Sequence, residues 1–358
     1  GKRTFLNAYL KKTAGTDAGH PRAVDRLRHI DSRLAELGLE TPGEGWSRNS
    51  ATLGIVASAD VRAAIAKARQ ALLNRQQPDG RWQDTPRAEG DDAPPAEQTT
   101  AVATYALIES GLSPRDPAID RALRWLAAHP TDRTLALAMR CYLWRAVQTP
   151  LHGRYSAQLF SDTDRLVRAT ADGSYGPVAN PDDRTRDGDA LHTAYAHLGV
   201  ACGAAGGAMV EESYWRRALM WWLRAQNRDG GWGLRGGQDS RHVPTVAAAA
   251  SVLLCLEHVG RSRDEAIRHG GMQSAMRWVE AFYNNGKNSN PLHYLYAVAR
   301  LGTALGMRKI GESDWYAWAS RDLIRHQDNN GLWAPRGQPA EASTALGLLV
   351  LSYAQAGR

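Results

Sequence analysis

Apolar residues recur at intervals of three and four along most of the chain, in segments of helical length separated by Gly, Pro and Asn signals. Two kinds of segment alternate. One is amphipathic and rich in Arg and Trp, as in Tyr214-Trp215-Arg216-Arg217 through Trp221-Trp222-Leu223-Arg224. The other is nearly uncharged, as in Val246 to Leu256 or Ala345 to Leu351. A helix apolar on every side is buried on every side, so the uncharged set predicts an inner layer and the amphipathic set an outer one. The pattern places outer helices near 61–76, 117–128, 157–170, 212–226, 263–283 and 314–327. It places inner helices near 98–110, 133–147, 190–204, 244–258, 291–305 and 342–355. Strand signals are weak throughout, so almost no sheet is expected.

The turns between the two sets repeat. Gln76-x-x-Asp79-Gly80-x-Trp82 returns as Gln226-x-x-Asp229-Gly230-x-Trp232 and as Gln327-x-x-Asn330-Gly331-x-Trp333. A degenerate copy is Asp172-Gly173-Ser174-Tyr175, with Ala169 in the Gln position. Gly supplies the left-handed residue that ends the first helix, the aromatic folds back as an apolar plug, and Gln is placed to bond backbone at the turn. The glycines lie 93, 57 and 101 residues apart. A unit of about 50 residues reads these as two, one and two repeats. Turn signals fill the two gaps, His129-Pro130-Thr131 and Asn284-Asn285-Gly286.

Residues 61–358 therefore predict an all-α ring of six helical hairpins, an (α/α)6 toroid whose last helix meets its first. Residues 1–60 do not fit the repeat. Val24, Leu27, Ile30, Leu34 and Leu37 mark one amphipathic helix there, ended by Thr41-Pro42-Gly43-Glu44-Gly45. An N-terminal helical extension that packs on the ring or caps it is expected.

Charge changes this picture little. The formal net charge is +7, and the basic residues are mostly Arg, scattered among 37 acids without a basic run. That describes a solvated surface rather than a nucleic-acid footprint. No apolar run approaches the roughly 20 residues of a membrane span, so a soluble chain is expected. Residue 1 is Gly, so the start leaves cytoplasmic and exported locations equally open. Cys141, Cys202 and Cys255 sit in apolar helical runs and read as buried free thiols. Without a CxxC pair, a Cys-based structural zinc site is not expected.

The Gln-x-x-Asp-Gly-x-Trp turns on paired helices resemble the QW motif of squalene-hopene and oxidosqualene cyclases and of protein prenyltransferase β subunits. The chain is most similar to bacterial prenyltransferase or squalene-cyclase repeat proteins, over Asp189–Leu198, Trp215–Gly233 and His293-Tyr294-Leu295-Tyr296 through Asp314-Trp315-Tyr316. The resemblance implies the toroid. It does not carry the chemistry over. Asp187-Gly188-Asp189-Ala190 lacks the last Asp of the cyclases' Asp-x-Asp-Asp, Asp189-x-Leu191 lacks the Cys of the prenyltransferase zinc site, and Cys202-Gly203-Ala204 is not a thioester motif.

Candidate chemistry collects where the inner helices begin, because their N–H groups and polar caps share one mouth of the ring. Glu97-Gln98-Thr99, Asp132, Asp187, Asp189, His242, Thr245, Asn290, His293, Glu341 and Ser343-Thr344 lie there. Helix capping or loop solvation is the favoured reading of any single one of them. Asp189 and His192 share a helix face and, with His293, form the candidate catalytic group, suited to acid–base work or half a metal site. Tyr105, Tyr142, Tyr195, Tyr294, Tyr296 and His242 are candidate ligand-binding residues, though core packing is the favoured reading of each tyrosine. No cofactor is expected; a divalent metal stays open but has no support beyond the Asp189–His192 pair. Three functions fit: a cyclase-like toroid holding an apolar, isoprenoid-like small molecule in its centre, a non-catalytic scaffold that binds another protein, or a carbohydrate-active toroid. For the last, Asn290, His293, Tyr294 and Arg300 would suit a lyase.

Overall fold

A computed structural model describes residues 58–83, 94–180, 188–283, 291–335 and 338–353. The chain divides into two compact units, Gly1–Glu44 and Gly45–Arg358. The first unit, and with it the proposed N-terminal extension, lies outside the described residues, as do Asp187, Asn290 and the 284–286 turn.

The described residues form thirteen helices. The outer set is α1 (Ala59–Asn74), α3 (Pro117–Ala128), α5 (Ser156–Arg168), α7 (Glu212–Ala225), the pair α9 (Arg263–Arg268) and α10 (Gly270–Phe282), and α12 (Trp315–His326). The inner set is α2 (Ala96–Glu109), α4 (Thr134–Gln148), α6 (Ala190–Ala205), α8 (His242–His258), α11 (Pro291–Leu305) and α13 (Ala340–Ser352). Each inner helix packs on the next, α2 on α4, α6, α8, α11 and α13 in turn, and α13 packs back on α2. That contact closes the ring. Sheet is limited to the two-residue strands β1 (Lys309–Ile310) and β2 (Ser313–Asp314) and one bridge between Arg133 and Val178.

Inner helices are buried along almost their whole middle length, α8 without interruption from Pro244 to Leu256. Their alanines and glycines let the backbones approach. Gly199 of α6, for instance, has no room for a Cβ against Ala138 of α4, which would lie 2.8 Å away.

The turns explain how one hairpin is tied to the next. Gln76 Nε2 donates to Gly80 O at 2.9 Å and to Ala118 O in α3 at 2.8 Å. Gln226 does the same to Gly230 O (2.9 Å) and Gly271 O (2.8 Å). Gln327 reaches Gly331 O (3.1 Å) and Ala64 O in α1 (3.0 Å), which joins the last hairpin to the first. Trp82, Trp232 and Trp333 fold under their turns, and each Nε1 donates to a carbonyl of the preceding helix: Leu72, Trp222 and Leu323. Tyr175 Oη does this in the degenerate copy, on Leu166 O at 2.8 Å. Burying each Trp contributes roughly 4–6 kcal/mol of transfer energy at most. Asp79 and Asp229 accept from the N–H two residues on, whereas in the third copy Asp328, not Asn330, closes the turn on Leu332 N.

Repeat two has no such motif and ties itself differently. Buried Arg140 donates to Leu126 O (2.7 Å) and His129 O (2.8 Å) and pairs with Asp162 at 2.7 Å.

Two expectations need correction. The 263–283 helix is broken at His269, whose extended backbone ends α9 and whose ring caps Gly271 N at 3.2 Å. The break starts a new helix and places the Gly271 carbonyl where Gln226 binds it. The sequence reads Thr245 and Ser343-Thr344 as polar mouth residues, with helix capping the favoured role. Thr245 Oγ1 and Thr344 Oγ1 instead accept from the backbone N–H of Trp232 (2.9 Å) and Trp333 (3.1 Å), as Thr100 and Thr193 do for Trp82 and Tyr175. These threonines and Ser343 are buried.

Candidate functional site at the ring mouth

Asp189 caps α6. One carboxylate oxygen accepts from His192 N at 2.9 Å and the other meets His192 Nδ1 at 2.6 Å. The loop over it is held by Ala190 N donating to Leu234 O at 2.8 Å. His192 Nε2, on the far side of the ring from the carboxylate, meets no other described residue in a hydrogen bond.

One turn further along the same face, Tyr195 Oη bonds His293 Nδ1 of α11 at 3.1 Å, and its ring stacks on Tyr296. His293 keeps some exposure, but protein walls it in, and loss of solvation pushes its pKa down to about 4. It is neutral at pH 7 and has no acidic proton to give. His242 lines a groove beside the mouth: Nε2 bonds Phe282 O at 3.1 Å, and its ring meets Trp278 and Tyr294 edge-on.

The five tyrosines named as candidates are buried in the core. Tyr105, Tyr142, Tyr195, Tyr294 and Tyr296 are each 8% exposed or less. Tyr294 Oη bonds Tyr283 O, away from the axis. Tyr105 stacks on Tyr142 at 5.7 Å. Buried Arg300 of α11 places its guanidinium 4.9 Å from the Tyr142 ring of α4. Since α4 and α11 stand three places apart in a ring of six, this contact crosses the ring from side to side.

Beside the mouth lies an open groove of about 510 Å³. Asn227, Asp229, Gln238 and Asp239 supply polar walls, and Trp278 and Phe282 an aromatic one. Phe282 is 42% exposed. Burial alone would raise the pKa of Asp229, but bonds from Ser240, Gly231 and Trp278 together outweigh it and lower the pKa. Asp229 is thus an acceptor and carries no proton at neutral pH. The motif analysis named Asp229 only as a turn residue and missed Phe282 and Trp278. The Gly236-Gly237-Gln238-Asp239-Ser240 loop after Trp232 was the available signal.

Among the described residues no three His, Cys, Asp or Glu side chains converge as a metal site, and no helix is long and apolar enough to cross a membrane.

The fold is that of the α/α toroids. The type II terpene cyclase MstE from Scytonema, in complex with geranylgeranyl dihydroxybenzoate, superposes with a TM-score of 0.53 at 14% identity over 85% of this chain and 98% of that one. The α-1,6-mannanase GH76A of Salegentibacter sp. HEL1_6, as an inactive variant with α-1,6-mannotriose, gives 0.61 at 10% identity over 82% and 98%. A protein from Actinoplanes gives 0.52 at 18% identity over 82% and 99%. No family model matches the chain, and no curated protein does. At these identities the likeness is one of fold, and function has to come from the site.

Proposed function

We propose that the chain is a carbohydrate-binding toroid that holds an oligosaccharide at its mouth, between the Asp229–Ser240 loop and Phe282. The observation that carries this reading is the pairing of an open acid- and amide-walled groove with an exposed aromatic ring. Sugars present hydroxyls at their edges and C–H groups on their faces. Carboxylate and amide acceptors suit the first, and an aromatic face suits the second. Asp189 and His192 extend the polar rim, with His192 Nε2 open to a further hydroxyl, which can either donate or accept. The toroid of the mannanase is a precedent for sugar on this fold.

The cyclase-like reading, an apolar ligand along the axis, has the fold of MstE in its favour. The Arg300–Tyr142 contact across the ring weighs against it, because an isoprenoid there would have to displace a buried cation and its aromatic partners. Neither Asp189 nor Asp229 is suited to protonating an alkene. Asp229 is ionised, and Asp189 already spends both oxygens on His192.

The test is binding of α-1,6-mannotriose and a panel of other oligosaccharides, against squalene and geranylgeranyl diphosphate. We expect an oligosaccharide to bind, and Phe282→Ala to weaken it about tenfold without moving the melting temperature. Asp189→Asn keeps the helix cap but weakens the hold on His192. It should lower the same binding while costing less than the 0.5–2 kcal/mol of a lost cap. Isoprenoid binding with no sugar binding would reverse the proposal. If Asp189→Asn costs stability and leaves binding untouched, Asp189 is a cap only.

A further inference from the structure

Where the inner helices finish, the 113–117 turn, the start of α3 and the 149–155 turn enclose a second depression of about 590 Å³. Its lining includes Arg115, Arg121, Arg124 and Arg154, with Asp120 as the one carboxylate and His152 beside them. Asp120 serves both Arg124 (3.0 Å) and Arg154 (3.4 Å). Arg121 gives one N–H to Gln76 Oε1 at 2.8 Å, and Arg115 one to Pro150 O at 3.3 Å. The nearby Asp116 is occupied with Ala118 N as the cap of α3.

Some surface arginines elsewhere pair one to one with acids, as Arg168 does with Asp164 and Arg216 with Glu212. Here four guanidiniums, each with five donors, line one depression with a single carboxylate, which pairs with two of them. The lining charge is four minus one, or +3. His152 reinforces the arrangement. It is the one non-glycine residue with positive φ (52°) among those described, and it sets its Nε2 3.4 Å from Arg115. A strained backbone that holds a ring against an arginine fits a ligand clamp.

We propose that this depression binds a phosphate or sulfate group. Guanidinium forks match tetrahedral oxyanions through paired N–H donors, and an anion relieves the repulsion among the four arginines. The depression is larger than a bare phosphate, so the group is borne on a larger molecule, either a sugar ester or a lipid headgroup. The inference is independent of the mouth groove.

The experiment is calorimetric titration of the whole chain with inorganic phosphate and glucose 6-phosphate at matched ionic strength. Sedimentation with phosphatidylcholine vesicles, with and without phosphatidic acid, runs beside it. Arg115→Gln/Arg154→Gln tests the pocket, and Arg168→Gln/Arg216→Gln controls for charge. We expect phosphate binding at least about tenfold weaker in the pocket variant, unchanged in the control, with the melting temperature of both close to the parent. Glucose 6-phosphate binding without vesicle binding identifies a small ester as the source. Phosphatidic-acid binding lost only in the pocket variant identifies a headgroup. Heats indistinguishable from chloride, or equal weakening in the two variants, would overturn the proposal.

Discussion

Arg300 and Tyr142 face each other across the ring, with the guanidinium 4.9 Å from the phenol ring centroid and both residues buried. A desolvated cation–π contact is worth about 2 kcal/mol. A double-mutant cycle with Arg300→Met and Tyr142→Leu, read by urea unfolding, should give a coupling energy of about 1–2 kcal/mol. Additive effects would show that the ring centre is not held shut by this pair. The arginine's other tyrosine neighbours, Tyr296, Tyr353 and Tyr105, mean that Arg300→Met alone should cost more than Tyr142→Leu.

Ring closure depends on Gly331. Its φ is +86°, and a Cβ there would lie 2.6 Å from Lys67 O of α1. Both the backbone conformation and the close approach exclude a side chain. Gly331→Ala should destabilise by about 2–4 kcal/mol, since strain and clash add. Gly306 also has positive φ (+64°), but nothing crowds it. Gly306→Ala should cost only about 1 kcal/mol. Thermal melts of the two variants decide whether closure matters: equal losses would mean that Gly331 serves its turn and not the ring.

Histidines make the fold acid-sensitive. His197 is fully buried, accepts from Trp222 Nε1 at Nδ1 and meets Gly173 O at Nε2, and burial lowers its pKa from 6.5 to about 3. His293 is lowered likewise, to about 4. Below pH 6.5 the unfolded chain takes up protons that the folded chain refuses. The stabilisation is therefore complete above 6.5 and is lost as pH falls towards 4 and then 3. Each histidine contributes a slope of about 1.4 kcal/mol per pH unit within its window. Urea unfolding between pH 7 and 4 should show this loss, and His293→Gln should make it shallower. Stability that does not change over that range would contradict the burial argument.

The hydrophobic pattern and the repeated turns by themselves determined the six hairpins, the two layers and the closed order of the ring, but not the break at His269 that makes thirteen described helices of the twelve expected. A helix with no polar face has no stable place but an inner one, and a repeated turn implies a repeated contact. Gly80, Gly230 and Gly331 were legible as left-handed turn residues for the same local reason. What those turns grip was not legible: Gln327 finds Ala64 at the other end of the chain. Asp189 and His192 were readable as a pair because helix geometry fixes residues three apart. That His293 would meet Tyr195, that Arg300 would cross to Tyr142, and that Phe282 would stand over the Asp229 turn depended on how separate hairpins pack. A tyrosine on an inner helix looks the same in sequence whether it lines a cavity or fills one. Only the side chain opposite decides, and that side chain comes from a helix far away in the chain.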